Sequence, residues 1–292
     1  MSQRHPWKVS LHGGHSGEFC EHAVSTLREV LEAAVNAEFS VFGVSEHAPR
    51  SQARFLYPSE VEKGYTLERL HQEFAAYEAE LARLAEELQD RLTVLRGFEA
   101  EIVPAEGYRE EMLAHRRRFE YMVGSVHYVD EIQIDGSQEE FDAALAGAGG
   151  LEALAVRYYE AVAAMAEALR PEVVGHLDLI RRRAPLDADL ATPAIQKAAD
   201  RALEAVAAAD AVLDLNTAGW RKGLGGPYPA PWLVARADAM GIGFCFGDDS
   251  HGPQDVGAGV EAARDYLLEH GVSRVRRLNR LDGAIVKEWI PL

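Results

Sequence analysis

The stretch SLHGGHSGEFCEHA, residues 10–23, holds three histidines and a cysteine. Metal-binding histidines often lie one residue apart at a strand end, because every second side chain of a strand points to the same face. His12 and His15 are three positions apart, so a regular strand would point them to opposite faces. Glycine tolerates the backbone angles of a β-bulge. We therefore predict a bulge at Gly13–Gly14 that brings both histidines to one metal ion; the alternative is that His12 only supports the site from behind.

Further histidines and two carboxylates follow the same pattern, since they lie at or near the ends of β-like runs. These residues are His22, His47, Glu99, His127, His176, Asp249 and His251. Imidazole nitrogens and carboxylate oxygens are ligands that suit zinc, iron or manganese. With His12 and His15 the set is too large for one tetrahedral ion. It suits two or three ions that share a bridging carboxylate, which is an arrangement used in phosphoester hydrolysis.

Seven β-like runs would position these residues. They are 7–12, 40–47, 93–102, 121–129, 172–180, 211–219 and 242–251. Because helix-length segments follow most of the runs, we predict a parallel α/β barrel with one domain over residues 1–292. The carboxyl ends of the strands of such a barrel meet at one face, where sites are built.

The stretch 59–90 is the clearest predicted helix. Its leucines and aromatic residues are spaced three and four apart, which makes one apolar stripe. Ser59 and Glu62 are positioned to cap its start, although Gly64 argues against a helix that begins so early.

Composition limits the partners. The chain has 30 basic and 47 acidic residues, a net charge of −17, which argues against binding nucleic acid by bulk electrostatics. We find no disulfide framework, no signal peptide and no apolar stretch that would span a bilayer. We expect a cytoplasmic protein without a membrane or nucleic-acid partner, and the oligomeric state is not predicted. We interpret Cys20 as a buried thiol near the site rather than a ligand.

These motifs together resemble the PHP (polymerase and histidinol phosphatase) superfamily, and within it the histidinol-phosphate phosphatases. The matching pieces, in family order, are HSGEFCEHA, SEHAP, GFEAE, YMVGSVHY, GHLDLIRR, LDLNTAG followed by an arginine, and GDDSH. The resemblance implies a distorted seven-stranded, TIM-like (β/α)7 barrel and a PHP-type metal-dependent phosphatase domain with two or three divalent ions. It implies that the substrate is a small phosphomonoester. The particular substrate would be histidinol phosphate, an ester of histidine biosynthesis.

The resemblance also implies how the ligands are divided. The first ion would be held by His12, His15, Glu99 and Asp249. Glu99 would bridge to a second ion on His127 and His176, and a third ion would take His22, His47 and His251. Glu99, Asp249 and His176 are the expected catalytic residues.

Substrate contacts are expected from residues near the strand ends. Arg181 and Arg221 are candidates for the phosphate, because a guanidinium matches phosphate oxygens. For Arg181, an exposed basic run is an equally good interpretation. Asp135 and Asp178 are candidates for the substrate ammonium, and Phe55 and Tyr57 for its imidazole.

Other functions are consistent with parts of the sequence. A PHP-type phosphoesterase with another small phosphomonoester would keep the same ligands and differ in its pocket. A nuclease or polymerase-associated domain fits poorly with the charge of −17. A non-catalytic metal-binding protein would not need arginines beside the ligands.

Overall fold

The computed structural model describes residues 5–292, and its central feature is a sheet of seven parallel strands. In order across the sheet they are β1 (Val9–Ser10), β2 (Val41–His47), β3 (Thr93–Ala100), β4 (Tyr121–Gly124), β7 (Val173–Val174), β8 (Val212–Asn216) and β9 (Phe244–Gly247). The Leu11 N–H donates to the Phe246 carbonyl at 2.8 Å and joins the first strand to the last. The sheet is therefore a nearly closed barrel in a single domain, as predicted.

Helices surround the barrel. They are α1 (Leu27–Asn36), α2 (Pro58–Glu62), α3 (Leu67–Glu87), α4 (Tyr108–Arg116), α5 (Gln138–Ala148), α6 (Leu151–Leu169), α7 (Pro193–Ala208), α8 (Ala218–Arg221), α9 (Pro231–Ala239) and α10 (Val260–Glu269). Within residues 5–292, none of them has the length and apolar character that crossing a bilayer requires.

The prediction of one helix over 59–90 is wrong at its start. Gly64 adopts a φ of +72° after α2, and α3 begins only after Thr66, whose hydroxyl accepts the Arg69 N–H. The predicted apolar stripe is confirmed. It places Phe74 against Phe98, and the Tyr77 hydroxyl donates to the Gly97 carbonyl at 2.7 Å, so α3 packs on β3.

Several strands are shorter than the sequence predicts. The run 172–180 contributes only β7 to the barrel, and Leu179–Arg182 forms a 3₁₀ helix instead. The run 121–129 divides into β4 and β5 (Tyr128–Val129), which pairs with β6 (Ile132–Gln133) in a separate small sheet. His12, His127, His176 and Asp249 therefore lie in irregular segments just beyond the strands, whereas His47 and Glu99 remain in the ladder.

A carboxy-terminal hairpin, which the sequence analysis did not predict, covers the opposite end of the barrel. It consists of β10 (Arg274–Leu281) and β11 (Ala284–Pro291). Arg280 donates to the Val94 carbonyl at the start of β3 and to Glu120 just before β4. Asp282 and Gly283 have φ values of +50° and +80°, which is the conformation of an Asp-Gly hairpin turn.

Candidate metal centre and active site

Glu99 lies at the centre of the site. It is near the carboxyl end of β3, is 1% exposed, and pairs in register with His47 on the neighbouring strand. Its Oε2 is 2.8 Å from the His47 Nδ1, and its Oε1 is 3.1 Å from the His12 Nε2. The same Oε1 is 3.4 Å from the His176 Nε2 and 3.6 Å from the His127 Nε2. One carboxylate thus faces four imidazoles that come from four different strand ends.

The glycine pair brings His12 and His15 together. Gly13 and Gly14 have φ values of +134° and +80°, so the predicted unusual backbone angles are confirmed. The feature is not a bulge inside a paired strand, because β1 ends at Ser10. It is a kink bonded to both neighbouring segments: the Gly13 carbonyl accepts the Ser45 N–H, and the His15 N–H donates to the Ser250 carbonyl at 2.9 Å.

The kink leaves both histidines near one acidic residue. Ligand atoms of His12, His15 and Asp249 lie within 4.8 Å of one another, and so do those of His12, Glu99 and His176. His176 and Asp249 have φ values of +24° and +48°. Such angles in residues other than glycine are strained and are held by the surrounding structure, and no pattern in the sequence would have predicted them here.

A second group of imidazoles lies beside the first. The rings of His15 and His251 stack at 4.4 Å, and those of His15 and His47 at 4.5 Å between centroids. The His22 ring is 4.9 Å from that of His251 and 5.5 Å from that of His47. The structure therefore brings together all nine of the residues that the sequence suggested as candidate ligands.

Buried carboxylates stand behind three of the histidines, and sequence reasoning missed this role. The pairs are His12 Nδ1 with Asp214 (2.7 Å), His15 Nδ1 with Glu46 (2.8 Å), and His127 Nδ1 with Glu101. Each pair fixes the ring and leaves its Nε2 directed to the site, which is the usual support for a metal-binding histidine. The available signal was an acidic residue close to a ligand in the sequence, as in Glu46-His47 and Glu99-Ala-Glu101.

The electrostatics of the site keep its carboxylates ionised. Burial alone would raise the pKa of Glu99, but the surrounding imidazoles outweigh it and hold that pKa well below its usual range. Burial would also raise the pKa of Asp249, but Lys222 and His251 outweigh it and hold that pKa well below its usual range. Both groups are therefore available as anionic ligands at neutral pH.

Three histidines are held in the neutral form. Burial lowers the pKa of His22 and His47 to about 4, and burial with the neighbouring His15 lowers that of His251 to about 3. A neutral imidazole has a free lone pair, which is the form that binds metal ions.

The residues present fit metal ions. Among residues 5–292, several buried atoms of the site make no hydrogen bond: His12 Nε2, His15 Nε2, His47 Nδ1, His176 Nδ1 and Glu99 Oε1. Nitrogen and oxygen atoms that approach this closely without hydrogen-bond geometry are costly unless a metal ion or an added proton lies between them. Burial would lower the pKa of His12, but Glu99 and Asp214 outweigh it and do raise that pKa well above its usual value. The donor set, nitrogen and carboxylate oxygen, suits divalent transition metals.

The site opens into a cavity of about 540 Å³. Its walls include Tyr57, Glu99, Asp135, Glu140, His176, Arg182, Lys222 and Asp249. Lys222 Nζ is 3.4 Å from Asp249 Oδ2, so a cation stands directly beside the ligands. A cavity with cations at the ligands and carboxylates elsewhere on its wall can bind a small zwitterionic phosphate ester.

Three of the four predicted charged substrate contacts are not on this wall. Arg181 donates to Asp178 and to the Pro227 carbonyl, and Asp178 is buried and also accepts the Ala230 N–H. Arg221 donates to the carbonyls of Asp248 and Asp249 behind the ligands. Each of these groups is already bonded to the protein.

Arg182 replaces Arg181 at the cavity because of the 3₁₀ helix. With three residues per turn, Leu179 and Arg182 share one face, and both line the cavity. Of the two aromatic candidates, Tyr57 lines the cavity, whereas Phe55 packs in a separate buried cluster with Val103 and Tyr128.

A barrel of seven parallel strands that gathers histidines and carboxylates at one end defines a metal-binding α/β-barrel protein. The PHP domain family matches residues 11–218, more than half of the chain, and the chain belongs to that family. A relative from Schizosaccharomyces pombe, named as a probable histidinol-phosphatase, is 32% identical over 96% of this chain and 93% of its own. The histidinol-phosphatase of Saccharomyces cerevisiae is 27% identical over 88% of each chain.

Solved structures have the same fold. A Listeria monocytogenes protein assigned to the histidinol phosphatases superposes with a TM-score of 0.77 at 25% identity, over 87% of this chain and 99% of its own. The histidinol phosphate phosphatase of Lactococcus lactis, crystallised with zinc, L-histidinol and phosphate, has a TM-score of 0.73 at 19% identity and covers 96% of this chain and 99% of its own.

Proposed function

We propose that this chain is a metal-dependent phosphoric monoester hydrolase that converts L-histidinol phosphate to histidinol and phosphate, with the phosphatase domain extending over residues 1–292. The observation that carries the proposal is Glu99, whose two oxygens face four imidazoles at the base of a cavity with cationic and acidic walls. Curated relatives named histidinol-phosphatase along nearly the whole chain support the substrate. The same names support a place in histidine biosynthesis, and the cytoplasm stays our proposed location.

The ligands would hold two or three divalent ions of zinc, iron or manganese. We assign His12, His15, Glu99 and Asp249 to the first ion, Glu99, His127 and His176 to the second, and His22, His47 and His251 to the third. The close grouping of His12, His15 and Asp249 supports direct ligation by His12 rather than a role behind the site. When bound, such ions balance the charge of phosphate oxygens and lower the pKa of water, which permits hydrolysis near neutral pH.

The remaining wall residues would bind the substrate. Arg182 and Lys222 are positioned to take the phosphate oxygens, in place of Arg181 and Arg221. Asp135 is positioned to take the ammonium group, together with the second oxygen of Glu140, whose Oε2 accepts hydrogen bonds from Ser137. Tyr57 is positioned to contact the imidazole ring. Asp178 would act indirectly, because its carboxylate fixes Arg181 and the Ala230 backbone. Glu99, Asp249 and His176 keep the catalytic role as ligands at the reacting centre.

The test is phosphate release by metal-loaded protein from a panel of monoesters. We expect kcat/KM for histidinol phosphate to far exceed that for p-nitrophenyl phosphate and sugar phosphates, because those esters leave the acidic groups on the cavity wall unpaired. A flat profile would favour a PHP phosphoesterase for another small phosphomonoester.

An Asp135→Asn variant makes the test sharper. The Asp135 carboxylate accepts a hydrogen bond from Gln133 at 3.3 Å, which an amide oxygen can still accept. Loss of one charged contact should raise KM for histidinol phosphate about 10- to 100-fold and leave p-nitrophenyl phosphate unchanged. An equal loss on both substrates would contradict a role in binding the ammonium.

A further inference from the structure

Cys20 is a buried residue in the turn between two of the histidines. The Cys20 N–H donates to the Ser16 carbonyl at 2.9 Å, and the Ala23 N–H donates to the Cys20 carbonyl at 3.2 Å. This turn folds the chain back after His15 and returns the thiol to the site. The side chain is 6% exposed, and its Sγ is 3.4 Å from the His22 Nδ1.

The thiol belongs to a group of four donor atoms. The Cys20 Sγ and one ring nitrogen each of His15, His47 and His251 all lie within 4.8 Å of one another. The His15 Nε2 and the His47 Nδ1 are buried and make no hydrogen bond to any part of the chain that the structure describes. Donors around a tetrahedral zinc ion are separated by about 3.3–3.6 Å, given Zn–N near 2.0 Å and Zn–S near 2.3 Å. Small side-chain shifts therefore suffice to bring the Cys20 Sγ and the nitrogens of His47 and His251 to one ion, while the neighbouring His15 nitrogen stays with the first ion.

We propose that Cys20, which the sequence alone suggested was not a ligand, is a thiolate ligand of the ion held by His47 and His251, an inference that rests on the proposed metal centre. The thiol proton leaves to solvent as the metal–sulfur bond forms, so the ion gains one anionic ligand. The histidines assigned to this ion bring no negative charge of their own. The thiolate therefore supplies a charge that the imidazoles lack.

A sulfur ligand changes the preference of this position among metals. Thiolates are soft ligands that favour zinc over manganese or magnesium, whereas carboxylates favour the harder ions. The position with Cys20 should therefore be the most selective for zinc, and the positions that contain Glu99 should accept a wider range.

The test is the absorption spectrum of the full-length protein loaded with Co²⁺ alone. A Co²⁺–thiolate bond gives a charge-transfer band in the near ultraviolet that nitrogen and oxygen ligands do not give. Cys245, which is fully buried in β9, is the other cysteine of the chain and provides a matched control. We expect the band in the parent protein and in Cys245→Ser, and its loss in Cys20→Ser.

In Cys245→Ser, Cys20 is the only thiol of the chain. A band in this variant is therefore assigned to Cys20 even if Cys20→Ser does not fold. More than one Co²⁺ per chain without the band would overturn the role of Cys20 and leave the proposed metal centre intact. A band that survives in Cys20→Ser would overturn it as well. Failure to bind Co²⁺ at all would overturn both the thiolate ligand and the metal centre.

Discussion

At the scale of single residues, the site depends on supports that lie outside the recognisable motifs. Histidines at strand ends were predictable because parallel strands of a barrel converge at one face. Asp214 was not, because an acidic residue in a strand has no local sign of its partner, and the His12 ring that it contacts lies 202 positions away. Arg182 was missed for a different reason, since its orientation depends on a 3₁₀ helix where the sequence suggested a strand.

The residue that should matter most is Glu99. In Glu99→Gln a neutral amide replaces the carboxylate that faces four imidazoles, and its NH₂ group cannot bridge two ions. Even a residue behind a ligand typically contributes about 10–100-fold, so we expect a loss in kcat above that range. Activity and bound metal should be measured together with circular dichroism, which should show a retained fold.

Glu101→Gln is the matched control, because Glu101 contacts His127 from behind and is equally buried. It should lose activity about 10–100-fold, less than Glu99→Gln. Near-normal turnover in Glu99→Gln would remove this residue from the centre.

At the scale of elements, the kink after β1 determines whether two histidines reach one ion. The sequence indicated the kink, because two glycines stood where a regular strand would have separated His12 from His15. It did not indicate that β1 would end at Ser10, since strand length depends on the hydrogen-bonding neighbours β2 and β9. The site is therefore built partly on the paired ends of β2 and β3, which carry His47 and Glu99, and partly on the connections that follow the shorter strands.

A Gly13→Ala substitution tests the kink without changing a ligand. A Cβ at this position would lie 2.5 Å from the Asp248 Oδ1 and 2.7 Å from the Ser250 nitrogen, so the segment that carries Asp249 must move. A misplacement of about 1 Å can cost about 100-fold in rate, and we expect a loss of that order together with lower metal content.

Gly271→Ala separates this clash from backbone strain. Gly271 has a φ of +85° but no heavy atom within 4 Å of the added Cβ. It should cost only about 1–2 kcal/mol in stability and leave metal content unchanged. Full metal occupancy and activity in Gly13→Ala would show that the kink does not position the ligands.

At the scale of the whole molecule, the two ends of the barrel have different roles. The carboxyl ends of the strands hold the site, and the hairpin of β10 and β11 covers the amino ends. Arg276, on the hairpin, pairs with Asp210 just before β8 at 2.6 Å. The class of fold was predictable from the alternation of β-like and helical segments, whereas the hairpin lies outside that alternation. The Asp-Gly pair at its turn is the feature from which the sequence could have predicted a hairpin.

Leu278→Ala should separate stability from function. The Leu278 side chain is fully buried, and its removal should cost about 2–5 kcal/mol and lower Tm, with kcat and metal content unchanged at the distant site. Leu281 lies on the same hairpin but is 56% exposed, so Leu281→Ala should change stability by less than about 0.5 kcal/mol. Equal effects of the two variants on thermal unfolding would contradict the packing described for β10.

In the proposed hydrolytic centre, Glu99 joins more than one ion. The most direct measurement is a titration of metal-free protein with zinc or manganese, in which bound metal per chain and the rate of phosphate release from histidinol phosphate are followed together. The arrangement of ligands predicts that the rate reaches its maximum only when more than one ion per chain is bound. Full activity at one ion per chain or fewer would contradict it.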